Sequence, residues 1–411
     1  MRKILIVGAG QSGLQLALSL QAEGYDITVM SARTPEEIRG GWPTSTQAMF
    51  APALDRERAY GLNLWDDQAP PIPGNEIGLA PAPGVRAFTF YEPWDRPGNS
   101  VDQRLKMGAW LELFEERGGR VIYHTVMTSD LSGLAELYDL TVIAAGKSEL
   151  VEVFDRDPAR SRYTSPARHL AAIYLNGLAS PPHGDDRVRI SIQPGAGEIL
   201  FMPSLTHTGP CGILLVEAIP GGSLDIFTDR PSPKEHLRRL RALLDEHFPW
   251  EGELYANAEP TDARASLVGG FTPTVRRPWT QVAPGLDVFG MADVVVVNDP
   301  ISGQGANNAA HCAAIYGQAI LDRGDAPFDR EWMDATFDAF WFPRARGSVA
   351  LTEMLLEPPA PNVEQMLGAA AQYPAVAKRI CDLIPDPSDI HEWLLDPDES
   401  AAYLASVVGA G

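Results

Sequence analysis

The chain opens with an apolar run, Ile4-Leu5-Ile6-Val7, that predicts a strand. It is followed by the turn Gly8-Ala9-Gly10-Gln11-Ser12-Gly13. Leu14, Leu16, Ala17, Leu18 and Leu20 then recur at largely helical spacing, and a second strand runs to Met30. A strong helix is predicted from Ser100-Val101-Asp102 through Leu105, Trp110, Leu113 and Phe114 to a stop at Gly118-Gly119. Residues 121–124 and 140–145 read as further strands of the same unit. Residues 69–98 are dense in Pro and Gly without a sustained period, which predicts an irregular connection with one short strand at 87–91.

From residue 169 the pattern changes. Short strands are predicted at 169–175, 188–193, 198–202 and 212–218, with Pro and Gly turns such as Pro194-Gly195-Ala196-Gly197 between them. Strands in succession without intervening helices predict an antiparallel sheet, a second layer beside a parallel α/β unit. An amphipathic helix is predicted at 234–248, a strand returning to the first unit at 286–291, and a long apolar helix at 302–323. The remainder, from about Asp329, reads as helical and acidic.

A chain of 411 residues can build two or three packed units. Its 33 basic and 54 acidic residues leave a net charge of −21, which repels phosphate backbones and anionic lipid. Nucleic acid and membrane are therefore poor partners. No apolar run approaches the ~20 residues that span a bilayer. The sequence begins directly with a strand, so no secretory signal is expected. Cys211, Cys312 and Cys381 are odd in number and widely spaced. That argues against a disulfide framework or a zinc site and for a reducing cytoplasm.

The G-x-G-x-x-G has the context that gives it meaning, between an apolar strand and a helix. A dinucleotide pyrophosphate needs a turn free of side chains and the open N–H groups of a helix start. Gly8 suits the tight turn, Gly10 the approach of the ligand, and Gly13 the packing of helix on strand. The alternative is a purely structural turn. A second constellation, Gly290-Met291-Ala292-Asp293 and Asp299-Pro300-Ile301-Ser302-Gly303-Gln304-Gly305-Ala306-Asn307, lies far along the chain. Asp293 can accept from a ribityl or ribose hydroxyl. The Pro-x-x-Gly-x-Gly segment offers bare N–H groups to the carbonyl edge of a flavin, where negative charge gathers on reduction.

Two expected signals are missing. There is no second G-x-G-x-x-G for a nicotinamide cofactor, and Ala145-Gly146-Lys147 stands where the FAD-dependent aromatic hydroxylases that this layout resembles usually carry an Asp-Gly motif if they bind their own nicotinamide. The second strand ends in Ser31-Ala32-Arg33 rather than in an acidic ribose clamp. A weakly anchored adenosine end suits a flavin that arrives and leaves.

The combined layout resembles FAD-dependent aromatic hydroxylases. With Ser100-Val101-Asp102-Gln103-Arg104-Leu105 and Gly303-Gln304-Gly305-Ala306-Asn307, it is similar over nearly its whole length to the styrene/indole monooxygenase family. The resemblance implies a Rossmann-like FAD-binding domain of the glutathione-reductase-like type, an antiparallel substrate domain and a helical C-terminal part. On this expectation residues 1–70, 100–165 and 275–345 bind FAD, 71–99 and 166–274 form the substrate domain, and 346–411 the C-terminal region. It further implies a two-component system. A separate NADH-dependent reductase supplies FADH2, and a flavin C4a-hydroperoxide epoxidises a small aromatic alkene.

Cofactor contacts are then expected from Gly8, Gly10, Gln11, Ser12, Gly13, Arg33, Arg104, Asp293, Pro300, Gly303, Gly305, Ala306 and Asn307. Ser45, Gln47 and Met49 match the Ser, Gln, Met pattern of indole-preferring members. With Phe50 and Pro300 they are expected on the substrate side. Trp42-Pro43 departs from the basic residue that members often carry there. A half-buried strand with alternating faces explains Ser45-x-Gln47-x-Met49 equally well. Capping and an ion pair explain Asp102 and Arg104 about as well as flavin contacts do. A larger indole-bearing substrate, a flavin carrier without turnover, and a homodimer all stay open at this point.

Overall fold

In the computed structural model, residues 2–146, 149–181, 184 and 186–409 are described. Lys147, which stands in the missing Asp-Gly position, lies outside them. The first sheet has six strands in the order Trp279–Ala283, Leu286–Gly290, Leu140–Ile143, Lys3–Val7, Asp26–Ser31 and Arg120–Tyr123. Neighbours are parallel except Trp279–Ala283, which runs antiparallel to Leu286–Gly290. Ile4, Leu5 and Ile6 are wholly buried, as expected of a strand covered on both faces. The helix Gln11–Ala22 packs beside the helix Gly305–Arg323, where Leu16 approaches Gly317.

The second sheet has nine strands. Along its main path run Glu259–Pro260, His169–Asn176, Gly209–Ala218, Gly197–Thr206, Val188–Gln193, Ile72–Leu79, Phe88–Ser100 and Ala48–Met49, while Ser266–Gly269 also pairs with His169–Asn176. Only the junction of Ile72–Leu79 with Val188–Gln193 is parallel. Both faces are covered. Leu170, Ala172, Leu200 and Leu215 pack with Val363, Met366, Val376 and Ile380 of the C-terminal helices. Ala171, Ile173, Phe201 and Val216 meet Leu237, Leu240 and Leu244 of the helix Pro233–His247.

Two expectations need correction. The Pro-rich segment is no irregular connection but a long hairpin, Ile72–Leu79 with Phe88–Ser100. Its ladder shifts register between Ile72 and Gly74, so Pro73 falls where no regular pairing is demanded. A Cβ on Gly74 would come within 2.4 Å of the Glu92 carbonyl oxygen, so the close pairing itself requires glycine. The late helix begins at Gly305 rather than 302. Pro300–Ser302 forms a 3-10 turn and Gly303 takes φ +67°, which breaks the helical path. Among the described residues no helix is long and apolar enough to cross a membrane, and Cys211, Cys312 and Cys381 are unpaired.

Candidate active site

Segments from opposite ends of the chain meet at one cavity of about 360 Å³. Gly8, Gly10, Gln11, Ser12, Arg33, Arg104, Asp293, Pro300, Gly303, Gly305 and Ala306 all line it, as do Ser45 and Gln47. Gly8 sits at φ +121°, and a Cβ there would lie 2.8 Å from the Ala144 carbonyl carbon. Gly13 does not reach the cavity. Its Cβ would come within 2.0 Å of the Gly8 carbonyl oxygen, so it lets the helix lie against the turn.

Gly10 and Gly305 differ from these, since a Cβ on either would meet nothing within 4 Å. Each stands at the start of a helix, Gln11–Ala22 and Gly305–Arg323, that has no side-chain cap and no acidic residue in its first turn. Two helix N-termini with open N–H groups thus face one cavity, an arrangement suited to a pyrophosphate and to an electron-rich ring edge. The residues present fit FAD.

At the end of the second strand Ser31 Oγ donates to the Arg33 carbonyl at 2.6 Å, while Arg33 itself is exposed on the cavity rim. Asp293 follows Ala292, a non-glycine residue held at φ +50°. A Cβ on Gly146 would come within 2.4 Å of the Asp293 Cβ, so the strand end must be bare for Asp293 to sit against it. Trp42 lies at the cavity mouth and is 52% exposed.

The segment expected to face substrate is built differently from an alternating strand. Only Ala48–Met49 pairs, against Ser100 and Asn99. Gln47, wholly buried, takes φ +53°, which destroys the two-residue alternation. Its Nε2 donates to Gln11 Oε1 at 2.9 Å, and its Oε1 accepts from Gln103 Nε2 at 2.6 Å. Ser45 Oγ accepts from the Gln47 amide at 3.1 Å. Met49 packs with Ala53, Leu54 and Ala310, away from the cavity. Phe50 lies edge-on to Trp94 at 5.1 Å and likewise does not line it.

Asn307 is also outside the cavity lining. Its side chain joins Phe50 N (2.8 Å), the Ala48 carbonyl (2.9 Å) and the Gly303 carbonyl (2.8 Å), stapling the two segments together. Arg104 reaches the cavity wall, but its guanidinium is bound to Asp102 at 2.7 Å and Asp262 at 3.1 Å. Burial works against its charge, and the two carboxylates outweigh that effect. Asp102 caps its helix by accepting from the Arg104 amide at 2.8 Å.

Other residues carry no sequence signal. Tyr174, fully buried, donates to the Ser45 carbonyl at 2.6 Å and so anchors the segment to the second sheet. Leu170, Ala172, Leu215, Leu267 and Phe271 form the apolar wall. They are ordinary strand and loop residues until the fold places them there.

A parallel sheet with a bare first turn, joined to a mixed sheet that walls the cavity, fits the class of FAD-dependent monooxygenases. Flavin-dependent brominase Bmp2 shares the fold over 100% of both chains, with a TM-score of 0.71 at 12% identity. Residues 146–253 match the family described as "Styrene monooxygenase A putative substrate binding domain". Styrene monooxygenase StyA of Pseudomonas fluorescens is 33% identical over 78% of this chain and 77% of its own. The StyA of a Pseudomonas sp. is 32% identical over the same shares. The chain belongs to the styrene monooxygenase family and is an FAD-dependent monooxygenase.

Proposed function

We propose that this protein is the oxygenase that receives FADH2 from a separate NADH-dependent reductase and epoxidises indole or a styrene-like alkene. The observation that supports this reading most is the pair of open helix starts, at Gly10 and Gly305, on either side of a cavity with an apolar wall. The N–H groups after Gly10, with Ser12, would hold the pyrophosphate, Arg33 the adenosine side and Asp293 the ribityl chain. Pro300, Gly303, Gly305 and Ala306 would border the ring. Residues 1–70, 100–165 and 275–345 would make up the FAD-binding domain, 71–99 and 166–274 the substrate domain.

Bound reduced FAD supplies the activation of O2 and the transfer of one oxygen atom to the double bond. The chain's own contribution is to orient and to exclude water. Leu170, Ala172, Leu215, Leu267 and Phe271 keep the cavity dry, so the activated oxygen is not lost as H2O2. Ser45 orients the substrate. Gln47, Met49, Phe50, Asn307 and Arg104 hold the substrate segment in place rather than touch the reacting atoms. The 69–98 segment is paired into the sheet and offers no loose loop to widen the site, which favours a small substrate over a large metabolite. We place the enzyme in the reducing cytoplasm, consistent with its unpaired cysteines.

The test is to mix the purified protein with chemically reduced FAD, O2 and indole and to watch for blue pigment. Release of H2O2 alone with both indole and styrene would overturn the proposal. Rapid NADH oxidation without an added reductase would refute its two-component part.

A further inference from the structure

Glu217 and Asp299 are both 0% exposed, on opposite sides of the junction between the second sheet and the Pro300 turn. Glu217 lies in the strand Gly209–Ala218, two residues after Leu215, so it shares the sheet face that Leu215 presents to the cavity. Its register partners are Glu198 and Leu170, the latter also a cavity residue. Asp299 precedes Pro300 and caps the turn, with Oδ1 accepting from the Ile301 amide at 3.1 Å.

The remaining oxygens have no donor. Among the described residues neither Oε1 nor Oε2 of Glu217, nor Oδ2 of Asp299, meets an N–H or O–H group. The cation of the cluster is Arg168, whose Nε is committed to Glu198 Oε1 at 2.7 Å. The Glu217 and Asp299 carboxyl groups lie within hydrogen-bonding reach of each other, and two dry carboxylates so placed cannot both stay ionised, because each would sit beside a like charge without solvation. A single proton between them converts the repulsion into a charge-assisted hydrogen bond.

We propose that Glu217 and Asp299 share one proton, and that this bond positions the Pro300 turn, and with it Gly303 and Gly305, against the cavity. The proposal rests on the flavin reading only for what the turn borders. Burial, then the contact with Asp299, pushes the Glu217 carboxyl well above the usual carboxylate range, so Glu217 is the proton's holder. Glu198, pushed up to about 7 by burial against the pull of Arg168, adds negative charge nearby on deprotonation. The shared proton, and the bond it makes, is lost as pH rises through the pair's folded value.

The experiment compares wild type, Glu217→Gln and Glu217→Leu. Infrared difference spectra of the cofactor-free proteins should show a protonated carboxyl band, shifted in D2O, that is present in wild type and absent from both variants. Amide exchange at Ile301 and its neighbours should be slow in wild type and Glu217→Gln, whose side-chain NH2 can replace the shared proton. It should be faster in Glu217→Leu by about tenfold or more. On raising the pH, wild-type protection should fall while that of Glu217→Gln stays flat, and FAD affinity should follow the same order. Absence of the wild-type band, or identical alkaline behaviour of wild type and Glu217→Gln, would overturn the proposal. So would equal loss in the Gln and Leu variants. If band and protection behave as expected but wild type binds no FAD, the flavin reading falls and the proton-sharing pair stands.

Discussion

Gln47 Nε2 donates to Oε1 of Gln11 at 2.9 Å, joining the segment 44–50 directly to the residue that opens the first helix. Through Gln103 the chain extends to Thr44, and through Gln11 to Glu57 and Lys106. The start of the first helix and the segment proposed to face the substrate are therefore one hydrogen-bonded unit.

Replacing Gln47 by Ala leaves the buried Gln11 Oε1 and Gln103 Nε2 without this partner, which should cost about 1–3 kcal/mol of stability. Because Gln47 is held at φ +53°, Gln47→Gly should be about 1 kcal/mol more stable than Gln47→Ala despite removing the same bonds. Urea unfolding of the two variants measures the difference. Equal stabilities would show that the left-handed backbone carries no strain. Both variants should also change indole turnover and FADH2 affinity together, since the unit is shared.

The Lys106–Glu57 pair lies at the far end of that chain, with side-chain exposures of 3% and 2%. Lys106 Nζ also sits 4.8 Å from the Trp110 ring centre. Lys106→Met alone would leave Glu57 a buried charge to which, among the described residues, the Gln11 side-chain amide alone donates, at a cost of about 3–5 kcal/mol. Lys106→Met with Glu57→Leu should recover most of that loss, because no uncompensated charge remains. Thermal melts of the single and double variants decide it. A double variant no more stable than the single one contradicts the argument.

The parts legible in the sequence are those where backbone geometry demands particular residues at consecutive positions. Gly8 needs a positive φ, Gly13 needs to lack a Cβ, and the Pro300 segment needs bare N–H groups at a helix start. What could not be read depends on pairing between distant strands. Pro73, Pro93 and Pro97 disguise the hairpin, because local propensity argues against strands that tertiary pairing enforces. Ser45, Gln47 and Met49 look like one face of a strand until Gln47 turns left-handed and Met49 packs against Ala53, Leu54 and Ala310. Glu217, one charge within Leu214-Leu215-Val216-Glu217-Ala218, gives a hint of burial but none of Asp299 as its partner.

Gly10 and Gly13 should separate binding from folding. A Cβ on Gly10 meets open cavity, so Gly10→Ala should keep wild-type stability while weakening FAD by about tenfold, equivalent to about 1.4 kcal/mol. A Cβ on Gly13 collides with backbone at 2.0 Å, so Gly13→Ala should lose about 1–3 kcal/mol or more of stability. Flavin fluorescence titration and thermal melting, run on both, give the contrast. A destabilised Gly10→Ala with unchanged FAD affinity would remove Gly10 from the cofactor site.

His236 gives the fold a defined acid sensitivity remote from the cavity. It is fully buried against Phe227, with ring centres 4.4 Å apart, and neither nitrogen has a hydrogen-bond partner among the described residues. Burial, with the nearby Arg239 charge, lowers its pKa to about 4 from 6.5. The unfolded chain therefore takes up this proton at a higher pH than the folded chain does. Stability from the neutral ring is complete above about pH 6.5 and is lost progressively as pH falls toward about 4, by roughly 3 kcal/mol in all. His236→Phe keeps an aromatic ring against Phe227 and cannot take up a proton. Its unfolding free energy should thus fall less than that of wild type between pH 6.5 and 4, and parallel curves for the two proteins would show that His236 is not the group responsible.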